Sequence, residues 1–174
     1  MKKQIWTYGI SIGVSVAVLM YLSFIMWMGE TPNYSMGEIA GYASMLLSFS
    51  LLFIGIKQYR DKQLGGYISF KKAFFMGLLM TLIASAIYVI GWMIYSSYNM
   101  TDFMDQYTNN MLEKMASEGK SASEIDAKKE EMAYYAELYK NPFWKIVMTF
   151  TEIFPVGLII SLISALILKR KAGN

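Results

Sequence analysis

Four long apolar runs dominate the pattern of hydrophobic and polar positions along the chain. They cover residues 5–28, 36–56, 73–98 and 144–168, and the charged residues inside them are Glu38, Lys145 and Glu152. At ~1.5 Å per residue, each run is long enough for a bilayer core of ~30 Å. The pattern predicts an all-α integral membrane protein, with residues 1–174 as a single membrane domain and four transmembrane helices packed as a bundle.

The segment between the third and fourth runs, residues 99–142, has a different pattern. Apolar side chains recur at helical spacing after Thr101, which can cap a first helix that ends near Gly119. Ser121 and Glu124 have the spacing of a capping box for a second helix. We expect a helical hairpin, which is either a docking surface or lid, or a connector whose two apolar stripes pack on each other.

Charge orients the four predicted spans, because Lys and Arg near span ends stay on the cytoplasmic side. Ten of the 16 basic residues and one of the 13 acids lie in the N-terminal, middle and C-terminal segments: Lys2, Lys3, Lys57, Arg60, Asp61, Lys62, Lys71, Lys72, Lys169, Arg170 and Lys171. We therefore predict a multi-pass membrane protein with cytoplasmic termini and an extracytoplasmic hairpin.

The composition narrows the possible chemistry. The chain is 55% hydrophobic and 17% charged, and it contains neither cysteine nor histidine. These absences exclude disulfides, thiolate nucleophiles, histidine bases and zinc sites of the usual ligands. We therefore expect no cofactor and no metal. We also expect no nucleic-acid partner, since the net charge is only +3.

Two carboxylates are the candidate chemical groups within the spans. An ionised carboxylate in hydrocarbon is unfavourable, so Glu38 and Glu152 form a candidate intramembrane polar site. Counted by helix rise from the basic residues that end their spans, Glu38 and Glu152 lie at a similar depth, and Tyr42 and Tyr88 reach a comparable level. Pro155 predicts a kink close to Glu152. The alternative is that Glu152 and Pro155 simply lie in the first turns after Pro142, where an acid suits the start of a helix.

The middle connection alternates basic and aromatic residues. Its basic members are Lys57, Arg60, Lys62, Lys71 and Lys72, and Gly65-Gly66 supplies a turn. This composition is typical of a collar that contacts the anionic headgroups of the inner leaflet. The partner we expect at this collar is the lipid bilayer.

Small residues recur four apart on three of the spans. The rows are Gly9, Gly13 and Ala17; Gly37 and Gly41; and Gly157, Ser161 and Ala165. In lipid, such rows mark close contacts between helices. The contacts could lie within one chain, in a homo-oligomer, or against another envelope protein.

Two stretches resemble a bacterial family. They are Ile54-Gly-Ile-Lys-Gln-Tyr-Arg-Asp61, with Gly65-Gly66, Ile68-Ser69-Phe70, Lys72-Ala73-Phe74 and Gly77 after it, and Glu152-Ile-Phe-Pro155-Val-Gly157. The chain is similar through them to the domain of unknown function family 4199, which comprises small four-span membrane proteins. The resemblance implies an inner-membrane protein and brings no known activity, cofactor or site.

Three hypotheses for function follow. The first is a non-enzymatic structural or interaction component of the envelope. The second is a small ion or solute transporter or channel that uses Glu38 and Glu152. The third is an intramembrane enzyme, which we rank last because the chain lacks the usual activated nucleophiles.

The absence of cysteine makes the orientation directly testable. We expect Lys120→Cys in intact cells to react with a membrane-impermeant maleimide, because residue 120 lies in the predicted outer hairpin. Lys62→Cys is the matched control and should react only after the membrane is permeabilised. Labelling of position 120 from the cytoplasm alone would overturn the orientation.

Overall fold

The computed structural model describes residues 1–27, 34–99 and 103–171. These ranges form six α-helices: α1 (Lys2–Trp27), α2 (Tyr34–Gln63), α3 (Phe70–Asn99), α4 (Phe103–Ser117), α5 (Ala122–Lys140) and α6 (Pro142–Leu168). Within them no strand forms, and the only β-type pairing is an isolated antiparallel bridge between Ile68 and Arg170. The end of the first predicted span at Met28 and the predicted cap at Thr101 lie outside the described residues.

Four of the six helices are long and apolar enough to cross a membrane by length and composition: α1, α2, α3 and α6. They contain the described parts of the four apolar runs, and α2 continues beyond its run as far as Gln63. The other two, α4 and α5, are the shorter amphipathic helices predicted between the third and fourth runs. The six helices therefore comprise four long helices at the predicted apolar runs and the two shorter helices predicted between the third and fourth runs.

The chain divides into two compact units. The first unit comprises Met1–Gly91 and Phe150–Asn174, and the second comprises Trp92–Thr149. Helices α3 and α6 contribute residues to both units, whereas α1 and α2 belong to the first and α4 and α5 to the second.

Helices α2, α3 and α6 approach one another most closely at two glycines of the first unit. A Cβ added to Gly157 would lie 2.5 Å from Thr81 Cγ2 and 2.6 Å from Phe49 Cε1. A Cβ added to Gly77 would lie 2.9 Å from Ser161 Oγ and 3.3 Å from Leu52 Cδ2. We call this contact the glycine seam, formed by Gly77 and Gly157 with Phe49, Leu52, Thr81 and Ser161.

Helix α1 packs on α2 and α3 through small residues of its own and of α2. A Cβ on Gly9 would lie 2.9 Å from Ile83 Cβ, and one on Gly13 would lie 3.1 Å from the Ala84 carbonyl oxygen. On the other side, Gly55 of α2 lies against the Tyr8 ring, since a Cβ there would be 2.7 Å from Tyr8 Cγ. The predicted contact row on α1 is thus confirmed at these glycines.

The second predicted row gives a different result. A Cβ added to Gly41 would meet no atom of the described residues within 4 Å, so the prediction of a helix contact at this residue is wrong for the described part of the chain. The recurrence of small residues in the sequence shows that they share one helix face. It does not show which atoms lie opposite that face. By contrast, Gly157, Ser161 and Ala165 are all buried, as helix contacts require.

Hydrogen bonds bring the chain's first residue, the middle connection and the C-terminal end of α6 together. The terminal amine of Met1 donates to Gln63 Oε1 at 3.4 Å. Ile68 and Arg170 exchange two backbone hydrogen bonds of 3.1 and 2.9 Å. Gly65 and Gly66 have φ of 63° and 90°, which confirms the predicted turn. We call this region the basic end of the first unit, because it holds Lys57, Arg60, Lys62, Lys71, Lys72 and the basic residues near both termini.

In the second unit, α4 contacts α5, and Met132 of α5 is buried. The predicted capping box is confirmed: the Ser121 N–H donates to Glu124 Oε2 at 2.9 Å, and the Glu124 N–H donates to Ser121 Oγ at 3.3 Å. The backbone N–H and the hydroxyl of Ser121 hold the pKa of the Glu124 carboxyl below its ordinary range.

Trp92 Nε1 donates to the Tyr139 hydroxyl, and Lys145 lies 4.8 Å from the centre of the Tyr139 ring.

The glycine seam predicts the effect of adding one methyl group. We expect Gly157→Ala to lower the free energy of unfolding by about 1–3 kcal/mol, because the methyl group would overlap Thr81 and Phe49. Gly41→Ala is the matched control and should be neutral or stabilise by up to about 1 kcal/mol, since alanine favours a helix. Thermal unfolding in mild detergent measures both, and equal midpoints would contradict the seam.

Candidate functional site

The predicted carboxylates and tyrosines form one cluster in the first unit. Tyr88 is 3% exposed, and its hydroxyl donates a hydrogen bond to the Glu152 carboxylate. The Tyr42 hydroxyl lies within electrostatic reach of both Glu38 and Glu152, and the two carboxylates lie within reach of each other. Helices α2, α3 and α6 thus each contribute at least one polar side chain to this carboxylate cluster.

The register between α2 and α6 decides how the cluster is arranged. Phe49 meets Gly157, and Arg60 Nη1 donates to the Leu168 carbonyl at 3.3 Å, so the two helices run in the same direction with an offset of 108 residues. Glu152 is therefore level with Ser44 rather than with Glu38. Helix rise separates the two carboxylates by about 9 Å along the axis, and Tyr42 lies between them. The similar depth expected from the sequence is therefore wrong by nearly two turns.

Exposure divides the cluster into an accessible and a buried part. Glu38, Tyr42 and Glu152 are exposed, while Tyr88 is buried. Two nearby carboxylates repel each other when both are ionised, so a proton or a cation would stabilise them. In the part of the chain that the structure describes, no three acidic side chains gather in a group that could hold a metal ion.

Pro155 lies inside α6, which is continuous from Pro142 to Leu168. Its ring nitrogen carries no hydrogen, so it cannot donate the helical hydrogen bond to the Thr151 carbonyl. Thr151 immediately precedes Glu152 in the chain. The Pro155 side chain is exposed. The kink predicted at Pro155 stays a prediction.

The predicted collar residues meet at the basic end but make different contacts. Arg60 donates to Asp61 Oδ1 at 2.6 Å as well as to the Leu168 carbonyl, so its guanidinium joins α2 to the end of α6. Lys72 lies 5.6 Å from the centre of the Tyr59 ring, within the range of a cation–π contact. Lys57, Lys62 and Lys71 are exposed and available to anionic groups.

Sequence reasoning missed a set of buried hydroxyls in the first unit. They belong to Ser48, Thr81, Ser85, Ser161 and Ser164, all at most 2% exposed. Thr81 Oγ1 and Ser161 Oγ lie 3.1 Å apart, and Ser161 also donates to the Gly157 carbonyl at 2.7 Å. The available signal was the spacing of Gly77, Thr81, Ser85 and Tyr88, which places polar and small residues on one face of α3.

A family model matches residues 7–170, nearly the whole chain, under the description "Protein of unknown function (DUF4199)". The match confirms the resemblance seen in the middle and C-terminal stretches. No curated protein matches the chain, and no solved structure does.

The hydrogen bond between Tyr88 and Glu152 can be measured by a double-mutant cycle. We expect Tyr88→Phe and Glu152→Gln to be non-additive by about 0.5–3 kcal/mol in the free energy of unfolding, because the first removes the donor of the bond and the second replaces its carboxylate acceptor with a neutral amide. Tyr98→Phe is the control partner for Glu152→Gln, since Tyr98 is 84% exposed. Additive effects of Tyr88→Phe and Glu152→Gln would contradict the bond.

Proposed function

The chain belongs to the DUF4199 family, and because the description of that family names no activity, we propose from this chain's own geometry that it is a non-enzymatic interaction component of the bacterial envelope. In this proposal, α1, α2, α3 and α6 cross the inner membrane as a four-helix bundle. The α4–α5 pair stands on the extracytoplasmic side as a helical hairpin. The proposal gives the protein no catalytic residue.

The basic end supports this orientation. The first residue, the middle connection and the end of α6 meet there, and the segments that meet hold ten basic residues and one acid. Such an excess of Lys and Arg is retained in the cytoplasm during insertion. Lys57, Lys62 and Lys71 would contact anionic lipid headgroups there, at about 1 kcal/mol for each basic residue.

One surface feature of α5 carries the proposal of an interaction role. Tyr134 and Tyr135 are 64% and 37% exposed, although Met132 on the same helix is 5% exposed. Tyrosine is enriched at protein interfaces, because its ring buries a large area with little loss of side-chain entropy. Two adjacent exposed tyrosines outside the membrane are therefore a suitable contact for an envelope protein or a second copy of this chain.

Photo-crosslinking in native membranes tests this role. A photoreactive amino acid at position 134 should give a discrete crosslinked product with an envelope protein or with a second copy. The product should decrease at least fivefold when Tyr135→Ala is added and should persist with Lys129→Ala, an exposed residue on the same helix. A protein that remains an uncrosslinked monomer would contradict the interaction role.

A second candidate function rests on the carboxylate cluster. Glu152 is bound by Tyr88 and lies within electrostatic reach of Glu38, and carboxylates within spans commonly mark ion paths. In this alternative the protein moves an ion or a small solute across the membrane. Purified protein in vesicles should then show flux that Glu152→Gln lowers, and an absence of flux would eliminate the candidate.

A further inference from the structure

Two buried hydroxyls of the first unit have no hydrogen-bond partner in the part of the chain that the structure describes. They belong to Ser48, which is 2% exposed, and Ser85, which is 0% exposed. A buried polar group without a partner is unfavourable, and native proteins rarely keep one unless water or a ligand binds it. Neither the glycine seam nor the carboxylate cluster accounts for these two side chains.

Ser85 lies on a polar face of α3 that starts at the carboxylate cluster. Tyr88, Ser85, Thr81 and Gly77 follow at spacings of three, four and four residues, so they lie on one face of the helix. Tyr88 binds Glu152 at one end of this face, and Thr81 lies 3.1 Å from Ser161 towards the other. Ser85 is in between.

Helices α2 and α6 add hydroxyls at matching heights. Ser48 precedes Phe49, whose ring meets Gly157 beside Thr81, so Ser48 is close to the level of Thr81. Ser164 follows Ser161 by three residues on α6, in the direction of the basic end, and is 2% exposed. We call this set the hydroxyl column: Tyr88, Ser85, Ser48, Thr81, Ser161 and Ser164.

The vertical spacing of the hydroxyl column suits single water molecules. Steps of three or four residues along a helix are about 4.5–6 Å, which is about the span of two hydrogen bonds through one water. A buried water needs two to four polar partners, and Ser48 and Ser85 each have an unused hydroxyl. Bound water would therefore both satisfy these hydroxyls and connect neighbouring members of the column.

We propose that the hydroxyl column, completed by bound water, carries protons between Glu152 and the basic end of the first unit. Each hydroxyl or water accepts a proton from one neighbour and passes its own proton to the next, so only O–H bonds form and break. Glu152 takes up the proton from the aqueous side and releases it into the column, with Glu38 and Tyr42 facing it from α2 and Tyr88 from α3. The proton gradient supplies the driving force.

The glycine seam indicates why the carried species is a proton and not a larger ion. At Gly77 and Gly157 there is no room for even a methyl group between the helices. A hydrated metal cation is larger than a methyl group and could not pass between the helices at these two glycines, whereas proton transfer requires only that oxygens lie in sequence. The inference rests on the membrane crossing in the proposed function and deepens the second candidate given there, an ion or solute transporter. It is independent of the tyrosine surface on α5.

Proton flux into vesicles tests the column. The full-length protein is reconstituted in phosphatidylethanolamine and phosphatidylglycerol vesicles with a trapped pH dye, and a valinomycin potassium gradient drives uptake. We expect proton uptake above that of empty vesicles, lowered at least tenfold by each of Glu152→Gln, Ser85→Ala and Ser48→Ala. Ser50→Ala is the matched control for Ser48→Ala, because Ser50 is exposed two residues away on α2 and should leave uptake unchanged.

Each other outcome of this assay contradicts the proposal. Uptake equal to that of empty vesicles overturns it, and so does uptake that Ser85→Ala leaves unchanged. Uptake sensitive to Glu152→Gln alone would leave a carboxylate-dependent transporter without the column. The crosslinking at position 134 reports on the interaction role separately, so that role can fail while the proton path stands, or the reverse.

Thermal unfolding of the alanine variants tests the hydration of the column. If Ser48 and Ser85 bind water, Ser48→Ala and Ser85→Ala remove one of its partners, and both midpoints should fall. If the two hydroxyls are dry and unpaired, their removal should raise the midpoints. Raised midpoints would overturn the hydrated column.

Discussion

The close approach of α2, α3 and α6 at Gly77 and Gly157 is the constraint on which the first unit depends. In lipid, apolar side chains gain little by leaving the acyl chains for each other, so helices associate through tight contact and hydrogen bonds. Two glycines provide both, because their missing side chains let Phe49, Thr81 and Ser161 reach the neighbouring backbones. The hydrogen bond between Thr81 and Ser161 then lies at the centre of the contact.

This constraint fixes the register of the three helices and hence the chemistry at both ends. Towards one end it brings Tyr88 to Glu152 and leaves Glu38 nearly two turns away, with Tyr42 between the carboxylates. Towards the other end it brings Arg60 to the last carbonyl of α6. The Ile68–Arg170 bridge closes the same end. One packing contact thus determines both the carboxylate cluster and the arrangement of the basic end.

Much of the secondary structure was predictable because its causes are local. Long apolar runs gave the four long helices, Ser121 and Glu124 gave a capping box, and Gly65-Gly66 gave a turn with positive φ. The members of the candidate site could also be named, since a carboxylate within an apolar run is conspicuous. These inferences require only neighbouring residues and the properties of a bilayer.

What could not be predicted depends on contacts between distant residues. Rows of small residues look alike in sequence, yet Gly157 is tightly packed while Gly41 faces open space. The relative height of Glu38 and Glu152 depends on which residue of α2 meets Gly157, and alignment of the two helices on their charged ends gave the wrong register. The buried serines escaped notice because an isolated serine in a span is common, and only burial reveals that Ser48 and Ser85 have no partner.

Disulfide formation between Thr81→Cys and Ser161→Cys in native membranes tests the central contact most directly. The two hydroxyl oxygens lie 3.1 Å apart, and a cysteine at each position places its sulfur close to the oxygen it replaces. The chain has no other cysteine. We expect a membrane-permeant oxidant to protect both thiols from later alkylation in denaturant, whereas the thiols of the Ser50→Cys and Ser161→Cys pair should both be alkylated there. Full alkylation of the Thr81→Cys and Ser161→Cys pair after oxidation would contradict the glycine seam.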